Sequence, residues 1–451
     1  MTETTGTPPP PGPRSASAAA PDPIPHAVPD LAVDGAANGA ADGAVDRTLH
    51  GGLGGLPIPV PIPVPIPVPT AHEGAYLAFQ PRIRRGAFFE AAWRHGCRRF
   101  SVYNRTYITG GFADPVAEYW QVVDKVALWP VMGERQIQID GPDAARFVQY
   151  LTPRDMRACA VGQCKYAPIT AADGGILSDP IILRLAEDRF WISTCDSDLE
   201  LWAKGVALHA GMDVAIRDAG VSVLQIQGPR SPDALAALFG DALRRLRYYW
   251  SVAVPFRGTS LLVSRTGWSG EWGYEVYLAD PGLGDALFDA LLEAGAPWGM
   301  APGGVSQIRR IEAGILSWGV DMTAADTPFD VGLDRLVALD TPNRFVGRAA
   351  LEQRVAEPAT RALVGLTLDG PALPPNEDVL ALSAGRRPAG RLTSLRHSPR
   401  LQANIALAQV AVEHRAPGTV LQAATVHGPR RATVTPLPFL SKRQQASASV
   451  A

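Results

Sequence analysis

Alternating apolar and polar positions define the first elements of this chain. Arg135-Gln136-Ile137-Gln138-Ile139 has the period of two expected of a strand. Gly141-Pro142-Asp143 then opens a helix with Ala144, Phe147, Val148 and Leu151 on one face. Strands are predicted over 164–170, 176–185 and 190–194, separated by the turns Ala171-Ala172-Asp173-Gly174-Gly175 and Ala186-Glu187-Asp188-Arg189. Asp196 is placed to cap a helix running through Leu199, Trp202 and Val206. A further helix is expected around Arg309-Arg310-Ile311-Glu312, with Ile308, Ile311, Ile315 and Leu316 as its apolar positions.

The pattern then repeats. Ile137-Gln138-Ile139-Asp140-Gly141-Pro142 is echoed by Leu224-Gln225-Ile226-Gln227-Gly228-Pro229, again leading into a helix. Two copies of a strand–glycine–helix unit imply two similar α+β lobes with a concave ligand site between them. From about residue 358 short β-rich runs, such as Ala362–Thr367 and Ile405–Val410, alternate with Gly/Pro turns and predict a small β-barrel. The fold class expected is α+β, two intertwined lobes followed by a C-terminal β-barrel domain.

The first 72 residues fit neither pattern. They hold 16 of the 41 prolines and no aromatic residue, too little apolar surface to offset the entropy of ordering. Within them, residues 57–69 place proline at every second position, which removes the donors a sheet needs and favours a stiff polyproline II spacer. The expected organisation is a disordered segment over 1–72, a two-lobed region over 73–355 and the barrel over 356–445.

Charge narrows the partners. Lys+Arg 42 against Asp+Glu 44 gives a net charge of −2, with no pull toward nucleic acid or an anionic membrane, so a small molecule is the expected partner. The four cysteines, Cys97, Cys159, Cys164 and Cys195, have neither zinc-site spacing nor the density of a disulfide scaffold. No apolar run approaches the roughly 18 residues that span a bilayer, and no secretory signal is visible, so the expected location is cytoplasmic. The chain has no phosphate-binding loop or dinucleotide fingerprint, and no metal site is predicted.

Candidate chemistry gathers at a few positions. Glu275 heads an apolar strand behind the glycine turn Gly267-Trp268-Ser269-Gly270-Glu271-Trp272-Gly273-Tyr274, where Trp268, Trp272 and Tyr274 are read as an aromatic slot for a flat, nitrogen-rich heterocycle. Asp179, in Gly174-Gly175-Ile176-Leu177-Ser178-Asp179-Pro180, would share a strand face with Leu177, Ile181 and Leu183. A buried carboxylate there needs a partner. Arg310 or Glu312 would face the lobe interface, where the guanidinium could fork onto a ligand carboxylate. Tyr166, Trp268 and Trp272 supply faces for a ring or a cation.

These same residues carry a resemblance. Arg265-Thr266-Gly267-Trp268-Ser269-Gly270-Glu271, ending in Gly273-Tyr274-Glu275, resembles the pterin-binding segment of the glycine cleavage T-protein family, the folate-dependent aminomethyltransferases. Gly174–Asp179, Arg310–Gly314, Pro328–Leu333, Phe345–Arg348 and the C-terminal Ser398-Pro399 and Ile405–Ala408 are similar to further motifs of that family. Glu134-Arg135-Gln136, Leu151–Asp155 and Val161–Cys164 are closest to its dimethylsulfoniopropionate demethylase branch. The chain departs from family patterns at Ser306, Pro130 and Arg105.

The resemblance implies tetrahydrofolate as the cofactor. Glu275 would grip the pterin's N–H donors, and Asp179 would act beside the reacting nitrogens as the catalytic group. Tyr166 and Trp268 would line the ring slot, and Arg310 would brace the pocket or the folate tail. The implied function is methyl transfer from a small sulfonium-, amine- or ether-type donor to N5 of tetrahydrofolate. The alternatives are a glycine cleavage aminomethyltransferase, partnered by a lipoyl carrier protein, and a non-catalytic folate-binding regulatory module.

Overall fold

The computed structural model describes residues 79–440; the proline-rich segment predicted over 1–72 lies outside the described residues. Two sheets organise the first part of the chain. One has six strands in the order Ser251–Phe256, Thr259–Ser264, Gly273–Leu278, Ser222–Gln227, Ala127–Pro130 and Ala301–Pro302. The other has five, in the order Ala215–Asp218, Arg135–Asp140, Arg189–Thr194, Ile181–Ala186 and Cys164–Tyr166. Between Pro130 and Arg135 the chain crosses from the first sheet to the second, so the lobes are intertwined.

Period two explains the layering. On the six-stranded sheet Leu224, Ile226, Tyr274, Val276 and Val263 pack under the helices Phe89–Arg94, Ser231–Phe239 and Gly284–Gly295. On the five-stranded sheet Ile137, Ile139, Phe190 and Ile192 pack under Ala144–Leu151 and Leu199–Ala210. The alternate residues meet between the sheets, where Trp129, Val223 and Tyr277 contact the side of Cys164, Leu183 and Trp191. Each large apolar side chain buried in these layers contributes about 1.5–3 kcal/mol relative to leaving it exposed.

The repeated strand–glycine–helix units occupy equivalent places, one in each sheet. Gly141 and Gly228 have φ of 133° and 127°. A Cβ on either would lie within 2.6 Å of a backbone carbonyl, that of Asp213 or Lys125. Both turns therefore require glycine.

Three local expectations are corrected. The strand over 176–185 is two strands, Ile176–Ser178 and Ile181–Ala186, and Asp179-Pro180 forms the break because proline has no N–H for the ladder. Asp196 does not cap the following helix, which begins after Asp198; its carboxylate instead accepts from the Asn104 amide at 2.8 Å. The helix around Arg310 spans only Gln307–Glu312, with the Ser306 hydroxyl capping it, and Ile315 and Leu316 lie beyond its end.

The C-terminal strands close into a barrel ordered Arg361–Leu368, Ala403–Ala411, Arg387–Ser398, Leu380–Ala384, Val420–Thr425 and Gly428–Thr435. Ile405 and Leu407 pack outward from it onto Ile176, Ile311, Leu316 and Val331. That contact seats the barrel beside the Asp179 segment.

Candidate active site

Strand register assembles a polar row inside the apolar layer between the sheets. Gln225 lies directly opposite Glu275 on one side and Trp129 on the other, and Ser264 lies opposite Glu275 from the next strand. Glu275 is 4 % exposed. Its Oε1 accepts from Gln225 Nε2 at 2.9 Å, and its Oε2 accepts from Thr266 Oγ1 at 2.6 Å and the Tyr277 hydroxyl at 2.7 Å. The same Gln225 Nε2 donates to Glu134 Oε1 at 3.1 Å. One amide thus bridges two carboxyl groups. Burial lifts both above the ordinary carboxylate range; the charge of Glu275 lifts Glu134 further, while the groups donating to Glu275 hold it back.

Asp179 belongs to the same neighbourhood. At the strand break its half-buried carboxylate accepts from the Tyr166 hydroxyl at 2.9 Å. Burial pushes it up to about 7, against the lowering effect of that hydroxyl, and the negative charge of Asp321 adds to the rise. Burial first, then the nearby Cys195, Asp179 and Glu134, holds the Tyr103 hydroxyl neutral and well above its ordinary value. The hairpin carrying Tyr103 is fixed by Asn104, whose Nδ2 donates to the carbonyls of Gly133, Thr194 and Cys195. Cys195 is pushed up to about 12, chiefly by burial, so it is a thiol at neutral pH and not a nucleophile.

Sequence-predicted residues fall into separate groups. Tyr166 and Asp179 touch, and Glu275 is joined through Gln225 to Glu134. Trp268 and Arg310 form another, with the guanidinium 5.3 Å from the ring centroid. Arg310 is 3 % exposed. Its nitrogens serve Gln307 Oε1, the Ile315 carbonyl, Asp321 and Ser394 Oγ. The expected fork onto a ligand carboxylate is therefore replaced by a brace between the helix and the barrel. Glu312, the other candidate for that interface, is fully buried and accepts from Tyr119 and Ser398.

The aromatic slot around Glu275 is also corrected. Tyr274 points to the opposite face of the sheet and donates to the Leu243 carbonyl at 2.9 Å; Trp272 follows it, its Nε1 3.0 Å from the Tyr274 hydroxyl. Trp268 donates to the Leu316 carbonyl. The ring that touches Glu275 is Tyr277, two residues on and hence on the same face. The glycine turn is sealed rather than loose: a Cβ on Gly273 would lie 2.2 Å from the Gln227 side-chain oxygen, and Ser269 donates to that oxygen at 2.6 Å. Sequence reasoning passed over Glu134, Gln225, Tyr277 and Tyr103. The available signal was Gln225, a polar residue in a strand where Leu224 and Ile226 flank it as core.

Two such sheets followed by a closed barrel are the architecture of the glycine cleavage T-protein family, and the chain belongs to it. Residues 81–341 match the GCVT N-terminal domain, and residues 361–440 the glycine cleavage T-protein C-terminal barrel domain. It is an enzyme of the family's methyltransferase and aminomethyltransferase class, with its likeness toward the demethylase branch. It is 37% identical over 353 residues to the dimethylsulfoniopropionate demethylase DmdA of Ruegeria pomeroyi, covering 78% of this chain and 96% of that protein. It is 34% identical to the aminomethyltransferase of Streptomyces avermitilis, over 72% of this chain and 90% of the relative. The fold matches that of the glycine cleavage system aminomethyltransferase T from Bartonella henselae with a TM-score of 0.73 at 23% identity, over 80% of this chain and 99% of the other. Among the described residues no helix is long and apolar enough to cross a membrane.

Proposed function

We propose that this enzyme transfers a methyl group from a small sulfonium-, amine- or ether-type donor to N5 of tetrahydrofolate. The observation that carries the reading is two acidic groups with different surroundings: Glu275, held by three neutral donors, and Asp179, whose side-chain hydrogen bond comes from Tyr166 and which burial raises to about 7. The donor set fits a pterin, because carboxyl oxygens suit its amino and ring N–H groups. The buried Gln225 Oε1, which has no hydrogen-bond partner, suits a further N–H. Similarity to the demethylase supports the methyl rather than the aminomethyl form of the reaction.

Folate supplies the nucleophilic nitrogen, so the protein needs none of its own. The donor's methyl–sulfur bond breaks with its electron pair staying on sulfur, and the new carbon–nitrogen bond forms in line with it. Asp179, poised near neutrality, takes the proton that the acceptor nitrogen gives up. Glu275 anchors the heterocycle, and Tyr166 orients Asp179. Holding donor carbon and acceptor nitrogen in line is worth on the order of 7–11 kcal/mol of the reaction's barrier.

Incubation of the purified protein with tetrahydrofolate and dimethylsulfoniopropionate, followed by product analysis, tests this. Methyl-folate is the expected product. Methylene-folate and ammonia from an aminomethyl-loaded lipoyl carrier protein, with no product from the sulfonium, would instead support a glycine cleavage aminomethyltransferase. Folate binding without turnover in either case would support a regulatory module.

A further inference from the structure

We propose that Glu134 is a specificity-determining residue of this carboxyl–amide cluster, the counter-ion that selects a methyl donor carrying positive charge over a neutral one of the same shape. The inference rests on the methyl-transfer reading for its substrate and on the geometry around Gln225 for its residue. Glu134 ends the crossing from one sheet to the other, in a tight turn closed by its amide donating to the Val131 carbonyl at 2.9 Å. The preceding Gly133 lets the hairpin pack directly on this turn, since a Cβ there would lie 2.8 Å from the Tyr103 carbonyl oxygen. Tyr103 is thereby brought beside Glu134.

Acceptor capacity distinguishes the two bridged carboxyls. Glu275 already receives three hydrogen bonds, whereas Glu134 receives one, from Gln225. No arginine, lysine or histidine among the described residues forms an ion pair with Glu134, Glu275 or Asp179; Glu134 feels the charge of Glu275, and Asp179 that of Asp321. Arg135, the next residue along, is turned away onto Glu200 and Asp218. Gln225 is 1 % exposed, and its Oε1 is without a partner although its Nε2 serves both carboxyls.

An unsaturated carboxyl, an orphaned amide oxygen and a tyrosine ring are the components of a site for a positive charge in a water-poor place. Burial and the charge of Glu275 both disfavour the ionised form of Glu134, and a bound cation offsets that penalty where an uncharged ligand cannot. Glu134 also stands between Glu275, the anchor of the heterocycle, and the Tyr103–Asp179 side where transfer takes place.

The test compares dimethylsulfoniopropionate with 4-methylpentanoate, which replaces the sulfonium by a neutral branch of the same shape. Calorimetry on the full chain with tetrahydrofolate left out, so that no methyl transfer consumes the donor, measures both. The wild type should prefer the sulfonium by at least about tenfold, and Glu134→Gln should remove most of that preference while tetrahydrofolate affinity stays within about threefold. Glu134→Asp, which keeps the charge, should retain part of it. If Glu134→Gln does not fold, Glu134→Met carries the same comparison with an apolar side chain of similar size. No preference in the wild type, an undiminished preference in the variants, or a loss confined to folate affinity overturns the proposal. A preference that depends on Glu134, found together with no methyl-folate formation, leaves the proposal standing and sinks the methyl-transfer reading.

Discussion

The Tyr166 hydroxyl donates to Asp179 Oδ2 at 2.9 Å, the one side-chain hydrogen bond to a carboxylate that burial otherwise pushes up to about 7. The sign of its effect follows. A bond donated to the ionised form lowers the value, so Tyr166→Phe should raise it. Turnover that needs ionised Asp179 falls as pH drops through about 7 in the wild type. In Tyr166→Phe the midpoint of that acidic limb should move upward by roughly one pH unit, the equivalent of a lost bond to a charged group. A pH–rate profile of single turnovers checks this; an unmoved midpoint would detach Asp179 from the titration.

Asp179→Asn separates catalysis from folding. The amide cannot take a proton, so the chemical step should slow by about 10²–10³-fold while folate affinity holds. Stability should move the other way. An acid whose folded value is raised loses stability as pH climbs from the ordinary carboxylate value to about 7, and that loss is complete above it. The variant should therefore be at least as stable as the wild type at pH 8. Early melting with an unchanged single-turnover rate would make Asp179 a structural residue only.

The sequence patterns that were legible were those whose physics is local. Period two identified the central strands, and the repeated Gly-Pro turns marked the two lobes, because both glycines must adopt positive φ against a carbonyl. Glu275 and Asp179 stood out as acids within apolar runs. What stayed hidden depends on partners distant along the chain. Arg310 is neutralised by Asp321 and held by Ser394 of the barrel, which no local pattern reveals. Trp272 and Tyr274 were misread as neighbours of Glu275, although strand parity sends them to the far face and leaves Tyr277 on the near one. Glu134 sits in a turn and becomes chemically significant only when register brings Gln225 within reach.

Glu275→Gln tests the anchoring role. The change keeps the shape but places an NH2 where Thr266 and Tyr277, or Gln225, now donate. It also removes the charge offered to the pterin, so folate affinity should fall by at least about tenfold, on the scale of a lost charge-assisted hydrogen bond. Calorimetric affinity equal to wild type would take Glu275 out of the site.

Arg309 holds the glycine turn and the barrel-facing helix together from inside. It is fully buried, 2.8 Å from Glu271 in the turn and paired with Glu312 on its own helix. Burial lifts Glu271 to about 7 even with Arg309 and Arg400 drawing it down. Arg309→Met would leave two buried carboxylates without their shared cation, at a cost of about 3–5 kcal/mol. The cost should depend on pH in a defined direction. With Arg309 gone Glu271 protonates more readily, and its neutral form tolerates burial, so the destabilisation should be largest near pH 8 and shrink toward pH 6. Urea unfolding of variant and wild type at both pH values measures this. A pH-independent loss would mean that Arg309 contributes packing alone, and no loss at all would mean that Glu271 and Glu312 find other partners when it is removed.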